Sequence, residues 1–460
     1  MAPPRSSFFG PAFPQLSRGT RVRVGSEVEW PFPHVSLTLM RQIHRWMYDS
    51  PHRFPEMLGT TGRKITLVIL FFASGLAGAH SQEPVGSSSA KPSDPRLQPM
   101  ARNQYVGDEA CRACHQELVD SYFQTAHHQT SRIASKSSVA GKFAPGTDKM
   151  STADPGLSFL MDERGDGFYE TAIWGLPPVT TSRSERMDLV IGSARKGQTY
   201  LFWSGDRLYQ LPVSYWVEID QWVNSPGYRD GVADFHRPVI PRCFECHASY
   251  IQSLPGPPPP NRYARNSLLL GISCERCHGP GSGHVSSRRS KENPLGENAI
   301  INPQALSRER QIDICAQCHA GHGAPLAAPF SYVPGEPLDD YLKREQSDPM
   351  SDIDVHGNQV ALLERSRCYQ HSDSMTCSTC HDVHVPQRNS KDFSSRCLVC
   401  HKTGDCRASS RLESSTSFNC VDCHMPVQVS KQIIAETQGK KIAARVRNHW
   451  IRIYPDSQLP

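Results

Sequence analysis

Seven repeats of Cys-x-x-Cys-His use fourteen of the sixteen cysteines of this chain. Two thiols three residues apart lie within one helical turn and can form thioether bonds to one porphyrin, while the histidine that follows can bind its iron. The repeats, numbered one to seven in chain order, therefore predict seven covalently attached haems c, each with its motif histidine as proximal iron ligand. The cysteines are Cys111, Cys114, Cys243, Cys246, Cys274, Cys277, Cys315, Cys318, Cys377, Cys380, Cys397, Cys400, Cys420 and Cys423, and the histidines are His115, His247, His278, His319, His381, His401 and His424.

Paired Cys-x-x-Cys units also bind zinc in ribbons and knuckles, which is the main alternative for this pattern. Here every pair is followed directly by His, which a zinc ribbon does not require. The number of pairs is odd, so four-cysteine zinc sites cannot use all of them. These facts favour haem and predict a multihaem c-type cytochrome, with zinc or disulfides as the competing interpretations.

An export signal precedes the first motif. Residues 57–81 combine basic Arg63 and Lys64, an apolar run from Ile65 to Ala79, and a small-residue end typical of a cleaved secretory signal peptide. The run is shorter than the roughly twenty residues that span a membrane, so we expect cleavage near Ala79, with an uncleaved anchor as the alternative. Residues 1–56 then represent an extension before the true start at Met57 (or Met40 or Met47), or a genuine N-terminal segment.

Export agrees with the chemistry, because haem is attached to c-type apoproteins outside the cytoplasm. The predicted location is the periplasm or another exported compartment, with membrane association only if the signal segment stays uncleaved. This compartment permits disulfides, so the two cysteines outside the motifs, Cys368 and Cys406, form either one disulfide or two free thiols.

Charge after residue 81 is balanced. Residues 1–81 hold nine Lys/Arg and four Asp/Glu, which leaves 41 of each in the remainder. Seven haems would add fourteen propionates, and arginines close to the motifs are candidates to pair with them. These arginines are Arg112, Arg242, Arg276, Arg367 and Arg396. No feature of the charge pattern indicates nucleic acid.

The rest of the chain is expected to form four segments. Residues 82–104 are a Pro/Ser-rich linker, residues 105–149 a first haem module with a helix after motif one, and residues 236–460 a six-haem region. Between them, residues 150–235 are predicted to form a haem-free β insertion. Its expected strands are Ser158–Asp162, Phe168–Trp174, Leu189–Ile191, Thr199–Trp203 and Arg207–Val213.

The aromatic residues of this insertion (Tyr200, Phe202, Trp203, Tyr209, Tyr215, Trp216 and Trp222) are interpreted as core rather than as a substrate-binding box. Around the motifs, little amphipathic periodicity is present and Pro and Gly are frequent. The expected fold is therefore a mainly α and irregular multihaem cytochrome c, with short helices and loops around stacked haems, plus a small antiparallel β insertion.

The second axial ligand of each iron decides between electron transfer and catalysis. Nine histidines lie outside the motifs after residue 81: His127, His128, His236, His284, His322, His356, His371, His384 and His449. They are numerous enough to ligate all seven irons. For each one, the alternative is a surface histidine or one that bonds a propionate.

Several of these positions resemble one family. Tyr105-Val-Gly-Asp-Glu-Ala-Cys-Arg-Ala-Cys-His115 followed by His127, Cys-Glu-Arg-Cys-His278-Gly-Pro-Gly-Ser-Gly-His284, and Thr-Cys-Ser-Thr-Cys-His381-Asp-Val-His384 are similar to the nitrifier-type tetrahaem cytochrome c and octahaem hydroxylamine oxidoreductase–tetrathionate reductase group. The resemblance implies distal iron ligation by His127 (with His128 as fallback), His284 and His384, and by His449 in the C-terminal Asn-His-Trp segment. His356 is a further candidate, and His322, His236 and His371 are weaker ones.

The resemblance covers roughly residues 105–130 and 240–450. The chain departs from it in having seven motifs, neither four nor eight, and it lacks the Cys-x-x-Cys-Lys motif of pentahaem nitrite reductase. We therefore expect an electron carrier with mostly bis-His haems and unidentified redox partner proteins. The alternatives are an oxidoreductase acting on a small nitrogen or sulfur oxyanion or oxide at one open haem, whose catalytic residues stay unknown, and an interaction module built on the β insertion.

Overall fold

A computed structural model of the protein describes residues 104–290, 300–344, 357–406 and 419–455. The predicted extension (1–56), the signal segment (57–81), nearly all of the linker and His356 lie outside these ranges. Within them, no helix is long and apolar enough to cross a membrane.

Helices in the described ranges are short and are centred on the motifs. They are α1 (Asp108–Tyr122), α2 (Pro241–His247), α3 (Cys274–His278), α4 (Ser282–Arg289), α5 (Arg308–His319), α6 (Gln359–Glu364), α7 (Arg367–Gln370), α8 (Ser390–Cys397) and α9 (Cys420–His424). Motifs one, two, three, four and seven lie within a helix, motif six begins at the last residue of α8, and motif five begins a 3-10 turn at Cys377–Thr379. One helical turn is therefore the local frame that presents the two cysteines at each motif.

Within the described ranges, strands between and after the motifs form five antiparallel sheets. Sheet I has the order β1-β6-β7-β8-β9 and sheet II the order β2-β3-β4-β5, and the pairs β10–β11, β12–β13 and β14–β15 form two-stranded ribbons. The strands are β1 (Ser131–Ile133), β2 (Lys149–Ser151), β3 (Leu157–Arg164), β4 (Gly167–Leu176), β5 (Val179–Met187), β6 (Leu189–Ile191), β7 (Gly197–Ser204), β8 (Arg207–Trp216), β9 (Gln221–Asn224), β10 (Ala248–Ser253), β11 (Tyr263–Leu270), β12 (Ala324–Pro325), β13 (Leu342–Lys343), β14 (Val427–Thr437) and β15 (Lys440–Arg447).

The expected fold class, mainly α and irregular, is wrong. The five strands expected from the sequence lie within β3, β4, β6, β7 and β8, but the haem-bearing part also contains the β10–β11 and β14–β15 hairpins. The long strands β14 and β15 are joined by the two-residue turn Gln438-Gly439. Both turn residues have positive φ, which matches the right-handed twist of a tight hairpin. The haem-bearing part thus pairs backbone groups in strands as well as in short helices.

Sheets I and II pack face to face and bury one core. Its largest fully buried members include Phe159, Met161 and Tyr200. The interpretation of the insertion's aromatics as core is confirmed for Tyr200, Phe202, Tyr215 and Trp222, which are buried in this cluster, while Trp203, Tyr209 and Trp216 are half-buried. A second core joins sheet I to α2 and to the β10–β11 ribbon, so the β insertion is packed directly against motif two.

Candidate haem-binding sites

The motif side chains are available for attachment of a large group. None of the fourteen motif cysteines and none of the seven motif histidines is buried, although their helices pack on buried neighbours such as Phe244 and Ala316. At motif one, His115 leaves helical geometry (φ −121°, ψ 39°) inside α1. The local backbone therefore turns the histidine away from the direction that a continuous helix would give it.

Three motif histidines each face a second imidazole. The ring centroids of His278 and His384 are 6.1 Å apart, those of His319 and His127 are also 6.1 Å apart, and those of His381 and His449 are 6.2 Å apart. Metal–histidine bonds are about 2.0 Å long, so two imidazoles on opposite sides of one metal ion have centroids roughly 6.3 Å apart. The three distances fit this arrangement. In the part of the chain that the structure describes, no three His, Cys, Asp or Glu side chains form a group that could hold a metal ion.

The first pair is oriented by backbone groups of both partners. The Nδ1–H of His278 donates to the Ile301 carbonyl at 2.8 Å, which leaves its Nε2 with the lone pair that a metal requires. His384 follows motif five, and its backbone N–H donates to the Asp382 carboxylate at 3.0 Å. The His384 ring also lies 6.3 Å from that of Tyr122 on α1.

The second pair depends on a close approach of two backbones. Ile272 N–H donates to the His127 carbonyl at 3.0 Å, and Gly271 (φ +70°) lies against the next residue so closely that a Cβ would be 2.2 Å from the His128 carbonyl oxygen. Only glycine fits this backbone conformation without strain. His127 is exposed at the surface, yet the protein atoms around its ring partly desolvate it, and this effect, together with His319 and His381, lowers its pKa to about 4.

His128, the fallback ligand, makes contacts within the protein instead. Its ring stacks on Phe123 at 3.9 Å between centroids, and its Nε2 lies 3.5 Å from the Asp108 carboxylate. Burial is the largest of several effects that lower its pKa. The structure thus gives different surroundings to two adjacent histidines, of which the resemblance ranked His127 first and His128 as the fallback.

The third pair is held by the C-terminal segment. The Trp450 ring lies between the guanidinium groups of Arg365 and Arg452, 3.7 and 3.9 Å from its centroid. Ser366 Oγ accepts from Ile451 N–H and donates to the His449 carbonyl. Desolvation, with the neighbouring His381, lowers the pKa of His449 to about 4, so this imidazole is neutral at physiological pH, which is the form that binds metals.

The remaining histidines have varied environments. His247 Nδ1 lies 3.1 Å from Thr130 Oγ1, and His424 Nδ1–H donates to the Arg452 carbonyl at 2.9 Å. The distal candidate His284 is half-buried on α4. His236 is exposed beside Asp234, His371 follows the last residue of α7, and the His322 carbonyl accepts from Arg242.

Cysteines of different motifs are in contact in three places. The interacting thiols are Cys111 with Cys274, Cys246 with Cys318, and Cys315 with Cys377. Motif one therefore adjoins motif three, motif two adjoins motif four, and motif four adjoins motif five. Neighbours in space are not neighbours in sequence for the first two contacts.

Two carboxylates hold motifs one and three together. The Glu275 side chain accepts from the backbone N–H groups of Val106 and Gly107, both at 2.9 Å, and from Gly281 at 2.8 Å. In return, Asp108 on α1 accepts from the Cys274 N–H at 3.0 Å. This reciprocal bonding was not anticipated from the sequence, because an acidic residue between two motif cysteines gives no indication of its partner.

Two buried arginines lie at the contact of motifs two and four. Arg242 donates to the carbonyls of Gln317 and His322, and Arg276 Nη2 donates to the Glu245 carbonyl at 3.0 Å. The neighbouring Cys318 thiol, and then both guanidinium groups, lower the pKa of the Cys246 thiol to about 7. Among the described residues, the buried Nε of Arg276 has no hydrogen-bond acceptor. An unfilled buried donor beside the motifs suits a carboxylate such as a propionate, so the donor set fits haem c.

Comparisons with known proteins agree with this chemistry. The family model described as cytochrome c554 and c-prime matches residues 229–279, which contain motifs two and three. The C-type polyheme cytochrome OmcC of Geobacter sulfurreducens is 24% identical over 177 residues. These matches, together with the seven motifs, support a multihaem c-type cytochrome. The match covers 38% of this cytochrome and 22% of OmcC, so this cytochrome aligns with about a fifth of that relative's length.

A solved structure, that of the outer cell wall cytochrome OcwA, is also similar to this cytochrome. It superposes with a TM-score of 0.48 at 18% sequence identity, covering 76% of this cytochrome and 80% of OcwA. The comparisons do not support the narrower resemblance to the hydroxylamine oxidoreductase and tetrathionate reductase group.

Proposed function

We propose that this cytochrome is an exported electron-transfer protein that binds seven covalently attached haems c, most of them ligated by two histidines. Haem supplies a one-electron redox centre when bound. The observation that carries the proposal is the set of three imidazole pairs at 6.1–6.2 Å. With haem bound, the second histidine would occupy the iron position that a substrate needs, which favours electron transfer over catalysis at these sites.

The three cysteine contacts support a route for the electrons. They connect motif one to three, two to four, and four to five. Two ligand pairs cross-link the same neighbourhood, because His127 after motif one faces motif four and His384 after motif five faces motif three. The role of the polypeptide is then to hold the redox centres at short distances and to keep their ligands fixed.

Export is part of the proposal, since c-type haem attachment takes place outside the cytoplasm and residues 57–81 have the composition of a signal peptide. The expected partners are redox proteins that donate and accept electrons at the surface.

The test is a haem count combined with a spin-state measurement on the purified holoprotein. Mass spectrometry should find seven haems on one chain that begins after residue 79, and electron paramagnetic resonance should show predominantly low-spin iron. A chain with fewer haems would contradict the count. Predominantly high-spin iron that responds to added nitrite or hydroxylamine would contradict the carrier function.

A further inference from the structure

We propose that the two inner residues of motif three, Glu275 and Arg276, create a gradient of reduction potential, with the lowest potential at motif one, an intermediate one at motif three and higher ones at motifs two and four. The inference rests on the proposed electron-transfer function and gives it a direction. Electrons would run from motif one through motif three towards motifs two and four.

Adjacent residues in this motif extend into opposite surroundings. Glu275 is 2% exposed and bonds to the segment that leads into motif one, through the Val106 and Gly107 N–H groups. Arg276 is 6% exposed and bonds to the Glu245 carbonyl within motif two, while its guanidinium lies 5.3 Å from the Phe330 ring centroid. The chain thus places an anion and a cation on different sides of one haem motif.

The side facing motif one is acidic. Asp108 is largely buried and accepts from the Cys274 N–H next to the Cys111–Cys274 contact, so two carboxylates adjoin these cysteines. The cationic side chain of motif one, Arg112, is half-buried and already paired with Glu109 and Asp120. The His128 ring lies against the Asp108 carboxylate, with its Nε2 3.5 Å away.

The side facing motifs two and four is basic. Arg242 (9% exposed) and Arg276 both lie beside the Cys246–Cys318 contact. One carboxylate, Glu245, lies there as well, 3.5 Å from Arg242 Nη1, and its other oxygen accepts from Phe330 N–H. Among the described side chains at this contact, two guanidinium groups face one carboxylate, which is an excess of positive charge before any haem propionate is counted.

These charges act on the potential because reduction removes one positive charge from the iron centre. A nearby cation makes the oxidised form less favourable and raises the potential, and a nearby anion lowers it. Buried charges are screened by salt much less than exposed ones. The effect of Glu275, Asp108, Arg242 and Arg276 on the reduction potentials should therefore outweigh that of the many surface charges.

The test is a spectroelectrochemical titration of the holoprotein and of charge-neutralising variants. Glu275→Gln should raise the midpoint potentials at the low end of the titration, and Arg276→Gln should lower those at the high end. Arg276→Lys, which keeps the charge, should stay close to the wild type. Matched controls are Glu163→Gln and Arg164→Gln, which remove the same charges at the end of β3, away from the haem motifs.

Midpoint potentials that shift in opposite directions in Glu275→Gln and Arg276→Gln would support the gradient. Potentials that shift in the same direction in both variants, or by no more than in the control variants, would overturn it. If either variant loses haem, Asp108→Asn and Arg242→Gln make the same comparison from neighbouring positions. Haem content and spin state are measured on the same samples. A failure of the proposed function therefore shows as a wrong haem count or high-spin iron in the wild type, while a failure of the gradient shows only in the shifts.

Discussion

The imidazole of His384 faces that of His278 across 6.1 Å, with the two ring planes 28° apart. One histidine belongs to motif three and the other follows motif five, so the two are separated by more than a hundred residues in sequence. An iron bound between them would link two distant parts of the chain. His127 and His319 are also more than a hundred residues apart, and His449 and His381 are 68 apart, so haem binding and tertiary folding are coupled.

Removing a distal ligand should change the spin state of one of the seven predicted haems. His384→Ala should convert one iron from low to high spin, because the opposite axial position loses its nitrogen ligand. Electron paramagnetic resonance measures the change. The matched control is His236→Ala, since His236 is exposed beside Asp234; an unchanged spectrum for His384→Ala would remove this residue from the ligands.

Substitution of the adjacent residues His127 and His128 should have different effects on spin state and stability. His127→Ala should make one haem high-spin, whereas His128→Ala should leave the spin states intact and lower the thermal stability through lost contacts with Phe123 and Asp108. Spin state and Tm measured on both variants separate the two roles. A high-spin signal from His128→Ala alone would show that the ligand assignment is reversed.

The backbone beneath His127 should tolerate only glycine. Gly271→Ala adds a Cβ 2.2 Å from the His128 carbonyl oxygen at a residue with φ +70°. Such conformations cost about 1–2 kcal/mol for a non-glycine residue before any clash is counted. We expect a lower Tm and a partial high-spin signal from displaced His127. Gly404→Ala, at a position with open space around its Cβ, is the control and should change neither.

The β insertion should lose stability as pH rises. Glu170 is fully buried, and this burial raises its pKa well above the ordinary value of 4.5. Above pH 4.5 the unfolded chain releases a proton that the folded chain keeps, so the free energy of unfolding falls by about 1.4 kcal/mol per pH unit until the folded-state pKa is reached.

Glu170→Gln removes this titration and still accepts from the Val213 N–H that now bonds the carboxyl group. The variant should therefore be more stable than the wild type at pH 7 and similar to it near pH 4. Thermal unfolding followed by circular dichroism between pH 4 and 7 tests this. Exposed Glu163→Gln should retain the wild-type slope, and an equal slope for Glu170→Gln would contradict the prediction.

Thiol counting tests both the haem number and the spare cysteines. Cys368 and Cys406 are free thiols in the structure. With fourteen of sixteen cysteines in thioether bonds, the unfolded holoprotein should give two reactive thiols before reduction. A value of zero that rises to two after reduction would instead indicate a disulfide between them.

The sequence by itself determined the class of cofactor, haem c. Seven Cys-x-x-Cys-His motifs predict the attachment residues, because the geometry is contained in one helical turn and depends on nothing outside five residues. The strands of the β insertion were also readable, since alternating burial and turn residues act over short distances. The strands between the haem motifs were missed because Pro, Gly and polar residues weakened the period-two pattern there.

Tertiary structure decided which groups meet. That His127, rather than His128, lies opposite His319 depends on the approach of Gly271 to the chain after α1, and that contact joins residues more than 140 positions apart. Likewise, the opposite environments of Glu275 and Arg276 exist only once motifs one, two and four are packed around motif three. Ligand pairing and charge distribution arise from contacts between distant segments, and no local pattern in a single sequence encodes those contacts.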